Sequence, residues 1–239
     1  MEYLLVGAAS FAAGIIQGIT GFGAVLNLML FLPMFYPLNV SVGSACAIAI
    51  AITASMAFVY RKSISWRKII IPAIANIAIC TFSTYVSIGL NQKPVKKMFG
   101  VFLLILAVYF LFFKREKGVR DLSLPVSCLI VVAAAFCEGF FGVGGPLMVI
   151  FFMHKTAGKE EYLATISAYF MVTSIVNTAF RFASGVLTAK LFPILLAGIV
   201  CILAGGMVAK KIVDKLDSSK IRTATYILIA IAGIINIIR

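Results

Sequence analysis

Acidic side chains are nearly missing from this chain: Asp and Glu together number 8 in 239 residues, against 21 Lys and Arg, with one His and one Trp. Charged residues of all kinds make up 12% of the sequence, where a soluble domain carries about 25%, so there is too little charge to cover a water-facing surface. No paired carboxylates, no metal-ligand cluster and no nucleophile with a neighbouring base fall within the apolar segments. The chain is therefore expected not to be an enzyme and to need neither a metal nor another cofactor. Phosphate-loop lysines, HExxH and a serine elbow are also missing. The GxG patterns lack the preceding strand and the later acidic residue that a dinucleotide fingerprint requires. The five cysteines, Cys46, Cys80, Cys128, Cys137 and Cys201, lie in apolar stretches without redox or metal spacing, and read as small buried apolar residues. Cys137 adjoins a glycine motif, and there its thiol is placed to touch a ligand.

What is abundant is apolar: 62% of residues are hydrophobic and the mean hydropathy is +1.10, as in a polytopic membrane protein. The excess of basic residues sits in short loops, where it reads as a topology signal in a lipid bilayer and not as a nucleic-acid surface. The first apolar stretch has no basic leader or small-residue cleavage site and is expected to remain in the mature protein.

A glycine motif occurs twice. Gly18, Gly21 and Gly23 recur 121 residues later as Gly139, Gly142 and Gly144, and the same spacing carries Pro72 onto Pro193. Each copy interrupts a stretch that is otherwise helical. Open backbone at membrane depth survives only where it is buried in protein or lines a cavity, so two matched breaks point to a transporter built from repeats. Apolar segments run roughly 3–19, 22–36, 39–60, 69–90, 98–113, 124–140, 143–153, 162–183, 190–209 and 221–238. The expected fold is all-α and polytopic, with a first repeat over 1–120 and a second over 121–239 forming one integral membrane domain. Each repeat opens with a glycine-broken helical hairpin or a pair of short helices.

Lys and Arg accumulate on the cytoplasmic side. If each motif region crosses once, alternate loops hold about equal numbers of basic residues. If it returns to its own side or makes two spans, one side holds all but Lys93, Lys96, Lys97, Arg181, Lys190 and Arg239. The charge pattern thus selects inverted repeats in the cell membrane, with both termini outside and the loops at 61–68, 114–121, 154–161 and 210–220 in the cytoplasm. Charge parity leaves open whether each motif is a re-entrant hairpin or two short spans.

A glycine triplet before an apolar helix presents bare amides at a helix start, which attract anions. Inversion brings two such starts together near the bilayer midplane. The candidate binding residues are Gln17, Thr20, Gly21, Phe22 and Gly23 in the first motif with Asn27 behind it. Phe141, Gly142, Val143, Gly144 and Gly145 serve in the second. Pro146 suits the first turn that follows. Ser44 and Thr53 recur as Thr165 and Ser174, with Asn177 one turn on, and as a mirrored set they are candidates to line the path, although singly such residues also join helices. Arg181 and Lys190 fall near segment ends and are expected to snorkel to the interface, leaving no cation deep in a span. Glu138, matched to Gln17, is the one carboxylate at membrane depth. An ionisable group there is a functional candidate, for proton coupling, or a structural tie to a neighbouring helix. His154 is expected in a solvated loop, and Tyr60 and Trp66 as interfacial anchors.

These residues resemble the sulfite exporter TauE/SafE family, also called the toluene sulfonate uptake permease family. The resemblance covers nearly the whole chain: GITGFGAVLNLMLFLP with Ser44, Thr53, Ser55, Tyr60, Arg61 and Trp66, then GFFGVGGPLMVIFF with Thr165, Ser167, Ser184 and Gly185. Ala24 and Val25 stand where the second copy has Gly145 and Pro146. The resemblance implies a bacterial or archaeal membrane transporter with two homologous halves, carrying sulfite, sulfonates such as sulfoacetate, or related organosulfur anions. A secondary transporter working by alternating access is the expected function, as a monomer or homo-oligomer in the lipid bilayer. A passive anion channel and a non-transporting assembly subunit are the alternatives.

Overall fold

The computed structural model describes residues 2–112 and 123–212, with 230, 231, 233–235 and 237. The last expected segment and the loop at 114–121 fall largely outside the described residues. Within them the chain is all-helical, without strands. The helices are α1 (Glu2–Thr20), α2 (Ala24–Phe31), α3 (Leu38–Val59), α4 (Trp66–Gly89), α5 (Gln92–Phe112), α6 (Leu124–Phe141), α7 (Gly145–Lys155), α8 (Lys159–Ala183) and α9 (Phe192–Ile212). Six of these, α1, α3, α4, α6, α8 and α9, are long and apolar enough to cross a membrane. At 1.5 Å per residue the eight residues of α2 and eleven of α7 are too short to do so alone.

Burial is arranged for lipid. Ile71, Phe82, Tyr85, Leu124, Leu129 and Met207 face outward, while Ser10, Gln17, Asn76, Ser83, Thr84, Asn177 and Arg181 are buried. A water-soluble domain has the opposite distribution. Trp66 is half exposed and the Arg61 guanidinium lies 4.7 Å from the Phe58 ring centre, beside the basic turn after α3. His154 belongs to the last turn of α7, where Nδ1 lies 2.8 Å from the Ile150 carbonyl. That corrects the loop expected there: the apolar run carries the helix two residues further.

Both breaks make hairpins whose limbs touch: α1 packs on α2, and α6 on α7. The Tyr36 hydroxyl, beyond α2, donates to the Glu2 carboxylate at the start of α1, so the first hairpin ends where it begins. Burial, together with that bond to Glu2, pushes the Tyr36 phenol upward and keeps its proton in place.

Between the halves, α1 runs beside α9 and α4 beside α6, both pairs parallel. Glycine permits the approach. A Cβ on Gly14 would stand 2.1 Å from the Ile202 carbonyl oxygen, and one on Gly205 2.1 Å from that of Phe11. On the other pair, a Cβ on Gly139 would stand 1.8 Å from Ser83 Oγ. Small residues that admit a neighbouring backbone are the usual means of joining helices in lipid.

The centre is held by α3 against α8. At one end Arg181, late in α8, donates to the carbonyl of Asn39, early in α3, at 3.0 Å. At the other end the Ser65 amide, just past α3, donates to Thr165 Oγ1, early in α8, at 3.2 Å. The two helices, which occupy matching places in the two halves, therefore run antiparallel. The Lys68–Glu161 ion pair at 2.5 Å joins the same end as Ser65. Lys96 Nζ reaches the Pro33 carbonyl at 3.1 Å, well away from it.

Candidate functional site

The two glycine breaks are built differently. In the first, Gly21 and Gly23 both take left-handed backbone, at φ 81 and 100, a region that L side chains avoid. Gln17 then staples the turn: its Nε2 donates to the Gly21 carbonyl at 3.1 Å and its Oε1 accepts from the Ala24 amide at 2.8 Å. In the second, Gly142 alone is left-handed, at φ 71, and Gly144 sits at φ −84. Gly144 is needed for space instead, because a Cβ there would lie 2.3 Å from the Ala134 carbonyl oxygen.

Each tip rests on the central helix of the other half. A Cβ on Gly21 would meet Leu163 at 2.5 Å, and one on Gly142 would meet Val42 at 2.9 Å. Leu163 and Val42 are themselves 121 residues apart, so one contact occurs twice with the halves exchanged.

Between the breaks lies a cavity of about 480 Å³ of empty space, part of it open outward. Its walls come largely in repeat pairs: Gln17 with Glu138, Ala24 with Gly145, Val25 with Pro146, Ala49 with Phe170, and Thr53 with Ser174. Gly23, Leu26, Cys46, Gly142 and Val143 complete it. Of the residues singled out in the sequence, Gln17, Gly23, Thr53, Glu138, Gly142, Val143, Gly145 and Ser174 meet at this one place.

The others do not line it. Thr20 Oγ1 lies 2.8 Å from the Ile16 carbonyl and 2.7 Å from that of Phe22, bracing the first turn. Gly21 and Gly144 shape the turns. Phe22 is buried among α4, α6, α7 and α8 side chains, and Phe141 stacks on Phe99 and Phe102 with ring centres 5.8 and 5.4 Å away. Asn27 Nδ2 donates to the Gly23 carbonyl at 2.8 Å. Thr165 joins α8 to the turn after α3, Asn177 binds Cys80 Sγ and Arg181, and Ser44 is buried off the cavity. For Thr20, Asn27, Thr165 and Asn177 the helix-joining or turn-bracing reading describes the placement, whereas the buried Ser44 hydroxyl has no hydrogen-bond partner among the described residues.

The thiol at the cavity wall is Cys46, and Cys137 instead packs into the adjoining core. Cys128 is exposed on the α6 surface, so burial does not hold for all five cysteines. Cys46, Ala49 and Phe170 escaped the sequence reading, although Cys46, Ala49 and Thr53 fall at i, i+3 and i+7 on one face of α3.

The largest correction concerns Arg181. It does not snorkel: it is fully buried at 0% exposure. Nε donates to Asn177 Oδ1 at 2.7 Å, NH1 to the Asn39 carbonyl, and NH2 to the Gly139 carbonyl at 2.8 Å and to Thr84 Oγ1 at 3.3 Å. Four helices close over a position that lies near a segment end in the sequence. Glu138, buried at 6% exposure, accepts from Asn76 Nδ2 at 2.8 Å, and Thr173 also bonds to it.

This arrangement, two glycine-broken helical hairpins closing on a shared cavity among membrane-length helices, defines a multi-pass helical membrane protein. The family model described as Sulfite exporter TauE/SafE matches residues 6–235, and the chain belongs to that family of membrane transporters. A protein described as a probable membrane transporter, from Methanocaldococcus jannaschii, is 24% identical over 152 residues, which cover 59% of this chain and 57% of that relative's length. No solved structure matches the chain.

Proposed function

We propose that this protein is a secondary transporter for a small oxyanion, such as sulfite or a sulfonate, that binds in the cavity between the two glycine breaks. The observation that carries this reading is the paired lining: counterparts from the two halves line one space. A site made of equivalent walls can be exposed to either side when the halves rock against one another. The antiparallel packing of α3 on α8, with the exchange of contacts between Gly21–Leu163 and Gly142–Val42, supports two inverted repeats over 1–120 and 121–239.

The helix starts of α2 and α7 both front the cavity and supply the anion-attracting amides. They are unequal donors. Gln17 already accepts from the Ala24 amide, and Pro146 has no amide to give. Neutral hydroxyls at Thr53 and Ser174 complete the polar lining. The basic ends of α3 and α9 are read as cytoplasmic, and both termini as outside, in the cell membrane.

Uptake of labelled sulfite and of labelled methanesulfonate into proteoliposomes tests this directly. Accumulation against a concentration gradient is expected. Simple equilibration would instead identify a passive anion channel, and no flux of either anion would favour an assembly role. Replacing Gly23 or Gly144 by Leu should abolish flux, and unchanged flux in both would remove the breaks from the mechanism.

A further inference from the structure

Arg181 and Glu138 are both buried, one residue apart through the carbonyl of Gly139, yet they do not form an ion pair. Every acceptor bonded to the guanidinium is neutral: Asn177, Asn39, Thr84 and Gly139. Among the described residues no carboxylate lies within 4.0 Å of it, the one such pair being Lys68 with Glu161. A buried guanidinium keeps its charge and demands a compensating anion nearby, at separations over which a low dielectric still transmits the interaction. Arg181 NH2 bonds the carbonyl of Gly139, the residue that follows Glu138, at 2.8 Å. Glu138, unlike Arg181, lines the cavity.

We propose that Arg181 is the fixed countercharge of the transport site, shared in turn by the Glu138 carboxylate and by a monovalent anion in the cavity. With the cavity empty, Arg181 is balanced by ionised Glu138. When a monoanion enters, Glu138 takes up one proton and the anion assumes its place in the balance. The site is neutral before and after, and one proton moves with each anion. A dianion leaves one uncompensated charge and is disfavoured.

This inference rests on the reading of the cavity as the binding site, and it gives that site a charge class for its cargo. The other groups able to carry charge that face Glu138 are Cys46 from α3, Cys80 from α4 and Tyr169 from α8. From α1, α2 and α7 the cavity wall presents Gln17, Ala24, Val25, Gly145 and Pro146, none of which titrates. The first half has Gln17 where the second has Glu138, and Tyr60 where the second has Arg181. The charge pair therefore belongs to one repeat only, and gives a site with matched walls a single proton carrier.

Infrared difference spectra of the purified protein near neutral pH provide the test, with methanesulfonate as a monoanion that carries no proton of its own. Glu138→Gln assigns the carboxyl band. Without anion, wild type should lack the protonated Glu138 band, and methanesulfonate should make it appear. Arg181→Gln should show the band without any anion, whereas Arg181→Lys should behave as wild type. In proteoliposomes, wild-type methanesulfonate flux should carry one proton per anion and ignore an imposed membrane potential, while Glu138→Gln flux should carry none and follow the potential.

A protonated band in anion-free wild type, or Glu138→Gln flux that still moved protons, would overturn the proposal. If wild type carried neither sulfite nor methanesulfonate, the cavity reading would fail, and the Arg181→Gln spectrum would still decide whether Arg181 holds the charge on Glu138. Should Arg181→Gln fail to fold, the wild-type spectrum with and without anion decides it.

Discussion

Glycine acts here through two separate physical demands, and substitutions tell them apart. Gly21 and Gly142 need left-handed backbone and also abut Leu163 and Val42. Alanine at either is expected to cost about 1–2 kcal/mol in backbone strain, with the overlap adding to it. Gly89, at the end of α4, has open space and no such backbone, so Gly89→Ala should leave stability level or slightly raised. Thermal unfolding in detergent, followed by size exclusion, compares the three. Side chains on and off the cavity make a second contrast. Thr53→Val and Ser174→Ala should raise the KM for labelled sulfite uptake several-fold, whereas Ser44→Ala, off the cavity, should not. The glycines and the Thr53–Ser174 pair are legible from sequence because each repeats at a fixed interval. Arg181 is not, since its burial depends on Asn39, Thr84 and Gly139, residues distant along the chain that only packing brings around it.

Among elements, the parallel crossings of α1 with α9 and α4 with α6 hold the halves together. Their glycines leave no room for a side chain. Gly14→Leu and Gly205→Leu should each prevent the crossing and leave little folded protein on size exclusion, because backbone carbonyls stand where Cβ would go. A gentler probe uses the native thiol on α9: a Cβ at Gly7 lies 3.3 Å from Cys201 Sγ, close to the spacing across a disulfide. Gly7→Cys is expected to form a bond with Cys201 on mild oxidation, detected by mass spectrometry of peptides from the two helices. The breaks themselves were foreseeable, since each glycine triplet interrupts an apolar run. Charge counting left re-entrant hairpins and paired short spans equally open; in the structure the chain turns back after α1, and Tyr36, beyond the short α2, reaches Glu2 at the start of α1.

At the level of the whole molecule, contacts sort the loops into two ends. The turns near Ser65 and Ala157 meet through Lys68 and Glu161, while Asn39 meets Arg181 at the other end. Single cysteines at Ser63 and Ala157 should react with a membrane-impermeant maleimide from one side, and those at Asn91 and Ser184 from the opposite side. Labelling of all four from one side would contradict the crossing pattern.

Composition, the 121-residue repeat and the placement of basic residues determined by themselves that this is a helical membrane protein with two glycine-broken apolar stretches, because hydropathy, backbone freedom and loop charge are local properties. Which residues face the shared cavity, and that an arginine near a helix end is buried beside the second hairpin, only the tertiary structure decided. Those outcomes depend on how closely α3, α4, α6 and α8 approach, which contacts between residues far apart in the chain set and no short stretch of it records.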